Sequence, residues 1–145
     1  MRRPVTCIGL FCEDIREEKS GQDTLVGVMP DNLSVGQIPA VIPKLGIYVR
    51  IQLESDDNPR SLSVKVRMPG GMELSMGTLD ELVARAKADA EKSGVPFAGM
   101  ISRSVLSPVP IPLPGKIEAI VEVDGAEYVC GVLNVSKGER IKTST

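Results

Sequence analysis

Four groups of residues in this chain have the types and spacing to do chemistry. The first is the acidic run Glu13, Asp14, Glu17 and Glu18. On one continuous strand, Glu13 and Glu17 would share one face and Asp14 and Glu18 the other. Paired carboxylates do acid–base work only in a pocket that raises one pKa. Without one, the run is expected to be a solvated strand end, salt-bridged by Arg16 and Lys19. The second group is Asp56, Asp57 and Asn58 in one loop, with Asp31 and Asn32 in another. Two such loops at one end of a fold could offer oxygen ligands to Ca²⁺; Asp and Asn also form turns for backbone reasons alone.

The third group is Cys7, Cys12 and Cys130. An odd count argues against a complete disulfide framework. Residues five apart on a strand point to opposite faces, so Cys7 and Cys12 are not expected to bridge. No cation next to Cys12 lowers its pKa, and three reduced, buried thiols are expected. The fourth group is Pro108, Pro110, Pro112 and Pro114, alternating with Val109, Ile111 and Leu113. Their spacing lacks the P-x-x-P offset of an SH3-type ligand. They remove N–H donors from one side of an extended segment, so residues 108–114 are expected at a sheet edge with the proline side outward.

There is no histidine, which removes Ser-His-Asp and Cys-His catalysis and His-ligated metals. The chain also lacks a G-x-S-x-G elbow, a phosphate-binding loop and a dinucleotide fingerprint. The expectation is no catalytic, metal or cofactor-binding residue, and no enzyme.

The elements that must position these groups read as short strands. Residues 5–18 read as a first strand, 19–23 as a turn, and 24–29 as the returning strand. Residues 36–44, with Pro39 and Pro43, read as an irregular crossover. Leu45, Ile47, Val49, Ile51 and Leu53 then alternate with Gly46, Tyr48, Arg50, Gln52 and Glu54. Leu62, Val64, Val66 and Met68 alternate likewise, so an antiparallel hairpin through residues 55–60 is expected, with Leu45 to Val66 buried on one sheet face. Met72, Leu74 and Met76 read as a further short strand. Thr78 to Glu81 has the form of a capping box with Thr78 as N-cap. It predicts a helix over 79–93 burying Leu79, Leu82, Val83, Ala86 and Ala90, ended by Gly94. Asp124-Gly125 between apolar runs is a hairpin signal, pairing Val121 with Tyr128, Ala119 with Cys130 and Ile117 with Val132. The polar tail after Val135 is expected to be loose. These elements predict an all-β, antiparallel β-sandwich over residues 1–145 as one domain, with one short inserted helix at about 79–93.

Composition narrows the function. The 145 residues are 42% hydrophobic and only 3% aromatic, with no Trp. The core must be Val, Ile, Leu and Met, with few platforms for stacking sugars or bases. The net charge is −2, without the basic stripe a nucleic-acid binder needs. The apolar run from Val5 to Cys12 is too short to span a membrane and lacks a signal-peptide cleavage pattern.

Several segments resemble a family of small bacterial and phage β-sandwich proteins of unknown function. These are Cys12-Glu13-Asp14-Ile15-Arg16-Glu17, Gly21-Gln22-Asp23-Thr24-Leu25-Val26-Gly27-Val28, Pro43-Lys44-Leu45, Pro114-Gly115 and Val123-Asp124-Gly125. The helix looks like an insertion relative to that pattern. The resemblance implies an Ig-like or C2-like sandwich and brings no activity or cofactor.

The expected function is therefore a non-catalytic protein-interaction or structural module that self-associates or joins a phage or bacterial assembly, in the cytoplasm or a phage particle. No nucleic-acid or membrane partner is expected. A small-ligand or glycan-binding sandwich is the alternative, and a hydrolase using a Ser-Lys or acidic pair is the third.

Overall fold

The computed structural model describes residues 5–54 and 56–138. Among these residues, twelve strands and one helix run in the order β1 (Val5–Cys12), β2 (Asp14–Glu17), β3 (Asp23–Val26), β4 (Asn32–Val35), β5 (Ala40–Ile42), β6 (Leu45–Glu54), β7 (Leu62–Arg67), β8 (Glu73–Thr78), α1 (Asp80–Ser93), β9 (Phe97–Leu106), β10 (Val109–Ile111), β11 (Gly115–Val123) and β12 (Ala126–Lys137). A three-stranded sheet β1-β6-β9 and a five-stranded sheet β4-β12-β11-β7-β8 form an all-β sandwich, flanked by the pairs β5-β10 and β2-β3.

The core lies between the two larger sheets. Leu45, Ile47, Val49, Ile51 and Leu53 on β6 are fully buried, as are Leu62 and Val66 on β7 and Ile117, Ala119 and Val121 on β11. Period-two alternation sends every second side chain inward, so the β6 and β7 residues expected in the core are buried, but on the inner faces of two sheets rather than one. The expected hairpin is not. β6 pairs with β1 and β9, whereas β7 pairs with β11 and β8. The chain between them crosses from one sheet to the other, so the two inner rows face each other across the core. Alternation dictates which face is buried and says nothing about which strand lies alongside.

Asp124 holds the end of that crossing. Its Oδ1 accepts the N–H groups of Arg60 at 2.7 Å and Ser61 at 2.9 Å. Asp124 and Gly125 have φ of 49° and 85°, the left-handed pair that a tight two-residue hairpin requires. The β11-β12 register pairs Val121 with Tyr128 as expected, then slips at a bulge between Ala119 and Ile120. Beyond the bulge Ala119 faces Gly131 and Ile117 faces Leu133, one residue on from the expected Cys130 and Val132.

Other expectations are corrected locally. Residues 5–18 are two strands, because the Glu13 N–H turns to the Val26 and Gly27 carbonyls and redirects the chain from β6 to β3. The crossover 36–44 contains β5, and β4 pairs with β12 in parallel. Thr78 does not cap the helix. It remains in the ladder opposite Ser63, Leu79 takes the N-cap position, and no side chain caps it. Asp80 Oδ1 instead accepts the Leu62 N–H at 2.7 Å. Leu82 is exposed, while Leu79 is buried and Val83, Ala86 and Ala90 pack against the core. Gly94 closes the helix in the left-handed conformation, with φ 70°.

Helix α1 packs against β9, where it shields one edge of the smaller sheet. At the opposite edge, β1 packs against β12. Of the expected edge segment 108–114 only Val109–Ile111 is strand; this β10 pairs with β5 alone among the described residues, with Val109 and Ile111 buried and Pro110 exposed. The last strand runs to Lys137, two residues past the expected end; the rest of the expected loose tail, 139–145, lies outside the described residues.

Candidate functional site

The acidic run is dispersed. Asp14 pairs with Lys44 at 3.4 Å, Glu17 with Arg103 at 2.9 Å, and Glu18 accepts the Thr24 hydroxyl at 2.8 Å. Arg16 and Lys19 are not the partners that the sequence suggested. The two Asx-rich loops also lie apart. Asn32 pairs with Asn134, while Ser61 meets Asp124 at the other end of β12, roughly 26 Å away along the strand. Their oxygens are engaged by local groups: Asp57 accepts the Glu54 N–H, Asn58 accepts from Lys87, and Asn32 accepts from Asn134 and Ser136. None of the three cysteines is in a disulfide; only Cys12 is buried, and Cys7 and Cys130 are half-buried rather than buried as expected. Burial pushes the Cys12 thiol upward, away from a reactive thiolate.

The outward faces of the two large sheets treat charge differently. On the five-stranded sheet, Lys65 bonds Glu73, Glu122 and Glu127, and Arg67 bonds Glu73 and Glu127. These are closed cross-strand ion networks. The smaller sheet presents Thr6, Ile8 and Leu10 from β1, Tyr48, Arg50 and Gln52 from β6, and Gly99, Ile101, Arg103 and Val105 from β9.

Direct cross-strand pairing orders these side chains into rows. One row runs Leu10, Tyr48, Arg103; the next runs Ile8, Arg50, Ile101. Ile8 is 56% exposed, and Leu10, Ile101 and Val105 are each 39% exposed. Arg50 is exposed between the two isoleucines and enters none of the ion pairs among the described residues. Arg103 is held by Glu17 and by Asp23, the latter at 3.3 Å, and these carboxylates push its pKa upward.

The β2-β3 hairpin overhangs this face. Between its turn and the sheet lies a groove of about 710 Å³, lined by Gly21, Gln22 and Asp23 from the hairpin side and by Tyr48, Arg50, Gly99, Ile101 and Arg103 from the sheet. A smaller hollow of about 200 Å³, lined by Thr6, Ile8, Arg50 and Gln52, continues it across Arg50. A Cβ added at Gly99 would meet nothing within 4 Å, so the groove floor is open there.

The model of a family of unknown function, DUF6941, matches residues 8–136. The chain belongs to that family. The DUF6941 span contains all the segments on which the sequence resemblance rests. It also contains every residue of the two rows, from Ile8 to Arg103. No curated protein and no solved structure matches the chain.

None of the residues singled out from the sequence lies at the centre of this face. Alternation in β6 placed Arg50 on a polar side, but its neighbours come from strands 40 and more residues away. β9 carries no readable alternation, because Ser102 and Ser104 point inward while Ile101 and Val105 point outward. β1 is apolar on both faces, which is the one local signal that its outer side meets something other than water.

Proposed function

We propose that this DUF6941 protein is a non-catalytic interaction module that docks a partner protein on the outer face of the β1-β6-β9 sheet. The observation that carries this reading is the set of exposed apolar side chains Ile8, Leu10, Ile101 and Val105 on one sheet face, with Ile8 and Ile101 flanking an arginine outside every described ion pair. Four such residues on one sheet face, on either side of Tyr48 and Arg50, support a contact surface. Arginine and tyrosine, both on this face as Arg50 and Tyr48, are among the residue types enriched where protein interfaces are anchored. The resemblance to bacterial and phage proteins supports an accessory place in an assembly of that kind.

The test is site-specific photo-crosslinking in native lysate. A photoreactive residue at Gly99 is expected to trap one partner that the same residue at Lys116, on the other sheet, does not. The adduct should disappear in the Ile8→Glu, Ile101→Glu double variant. Identical adducts from both positions, or an adduct that survives the double variant, would overturn the reading.

A further inference from the structure

The outer face of the smaller sheet already binds one polypeptide segment, its own β2-β3 hairpin. The hairpin is seated by carboxylates on cations: Glu17 and Asp23 on Arg103, and Asp14 on Lys44. Arg50 stands one row further along the same face, roughly 7 Å from the Tyr48–Arg103 row. It has apolar flanks in Ile8 and Ile101 and no acid on it among the described residues.

We infer that the groove takes a carboxylate-bearing segment of the partner protein, with an aspartate or glutamate side chain on Arg50 and apolar side chains against Ile8 and Ile101. This inference rests on the docking face proposed above and names the chemistry of its occupant. A guanidinium donates to a carboxylate bidentately, and the two isoleucines, once covered by the bound segment, would shield the pair from water and strengthen it. The open floor at Gly99 and the continuous groove and hollow on either side of Arg50 leave room for a chain lying across the strands. A second copy of this chain is a poorer occupant. Stacking the face on itself about a two-fold axis near Arg50 sets the two Arg50 guanidinium groups against each other, and like charges oppose that approach.

The experiment selects a displayed library of random peptides against the full chain, using the wild type, Arg50→Gln, and the Ile8→Glu, Ile101→Glu double variant. Retained thermal melts establish that each is folded. The wild-type pool is expected to be enriched in peptides that combine Asp or Glu with apolar residues. Its members should bind Arg50→Gln about tenfold more weakly, bind Arg50→Lys at an intermediate level, and lose binding to the double variant.

If the pool carries no acidic enrichment, or its acidic members bind Arg50→Gln as well as wild type, the carboxylate assignment falls while the docking face stands. If the selected peptides still bind the double variant, or none is selected, the docking face falls with it. A mass in light scattering twice that of the chain, reduced to that of the chain by the double variant, would assign the face to a second copy and overturn the inference.

Discussion

Gly9 on β1 and Gly131 on β12 touch backbone to backbone across the edge of the sandwich. A Cβ built on Gly131 would collide with the Gly9 carbonyl oxygen, and one on Gly9 would lie 3.1 Å from the Ala119 Cβ. The β11-β12 bulge is what brings Gly131, rather than Cys130, opposite Ala119 at this point. The contact closes the side of the sandwich opposite α1.

Gly131→Ala should therefore force the two strands apart. A loss of about 1–3 kcal/mol is expected, the usual range for overpacking. Gly9→Ala should cost less, since its neighbour is a side-chain carbon at a longer distance. Gly36→Ala, with open space around it, is the control. Urea melts read all three, and equal stability of Gly131→Ala and wild type would show that the strands separate freely.

Val49 is fully buried on the inner face of β6, and Gln52 is half-buried on the outer face. Val49→Asp places an unpaired carboxylate in an aliphatic core and is expected to unfold the domain. Gln52→Lys should leave the urea midpoint within experimental error. Similar losses from both would contradict the inside–outside assignment of this strand.

Asp80, not Thr78, is the acid-turn residue that matters at the start of α1. Asp80→Ala removes the acceptor of the Leu62 N–H and should cost about 1–3 kcal/mol, the range for a part-buried donor left unpaired. Thr78→Ala should be close to silent, because no side chain caps this helix. Thermal melts showing the reverse order would restore the capping box.

Glu127 and Glu73 should give the fold a dependence on acid. The Lys65 and Arg67 cations hold the Glu127 carboxyl below its ordinary value of 4.5, and Arg67 and Lys65 do the same for Glu73. A carboxyl with a lowered folded-state pKa contributes stability that is present above the unfolded value and lost as pH falls through the folded one. Wild type should therefore lose melting temperature below pH 4.5 more steeply than the Glu73→Gln, Glu127→Gln double variant. The groups are exposed, so the difference should be small and shrink in 1 M NaCl. Parallel curves at low salt would mean the network contributes nothing to stability.

Much of this protein is local in origin. The inward rows of β6 and β7 follow from strict alternation, because a pleated strand turns every second side chain to the same side. The Asp124-Gly125 turn follows from the two residue types that accept left-handed backbone, and the end of α1 follows from Gly94 for the same reason. Prolines at 108–114 mark an edge because they lack the donors a second neighbour would need. Each of these properties is carried by residues a few positions apart.

Tertiary structure decided the rest. Which sheet β7 joins depends on strands more than 50 residues downstream, and no alternation in residues 45–68 encodes it. Thr78 loses its capping role because the ladder to Ser63 claims it first. The Ile8–Arg50–Ile101 row exists only once three strands from distant parts of the chain lie in register. Its exposure depends on where the β2-β3 hairpin stops covering the sheet. Pairing partners and coverage are long-range energies, set by how the whole apolar surface is buried, and a local pattern does not contain them.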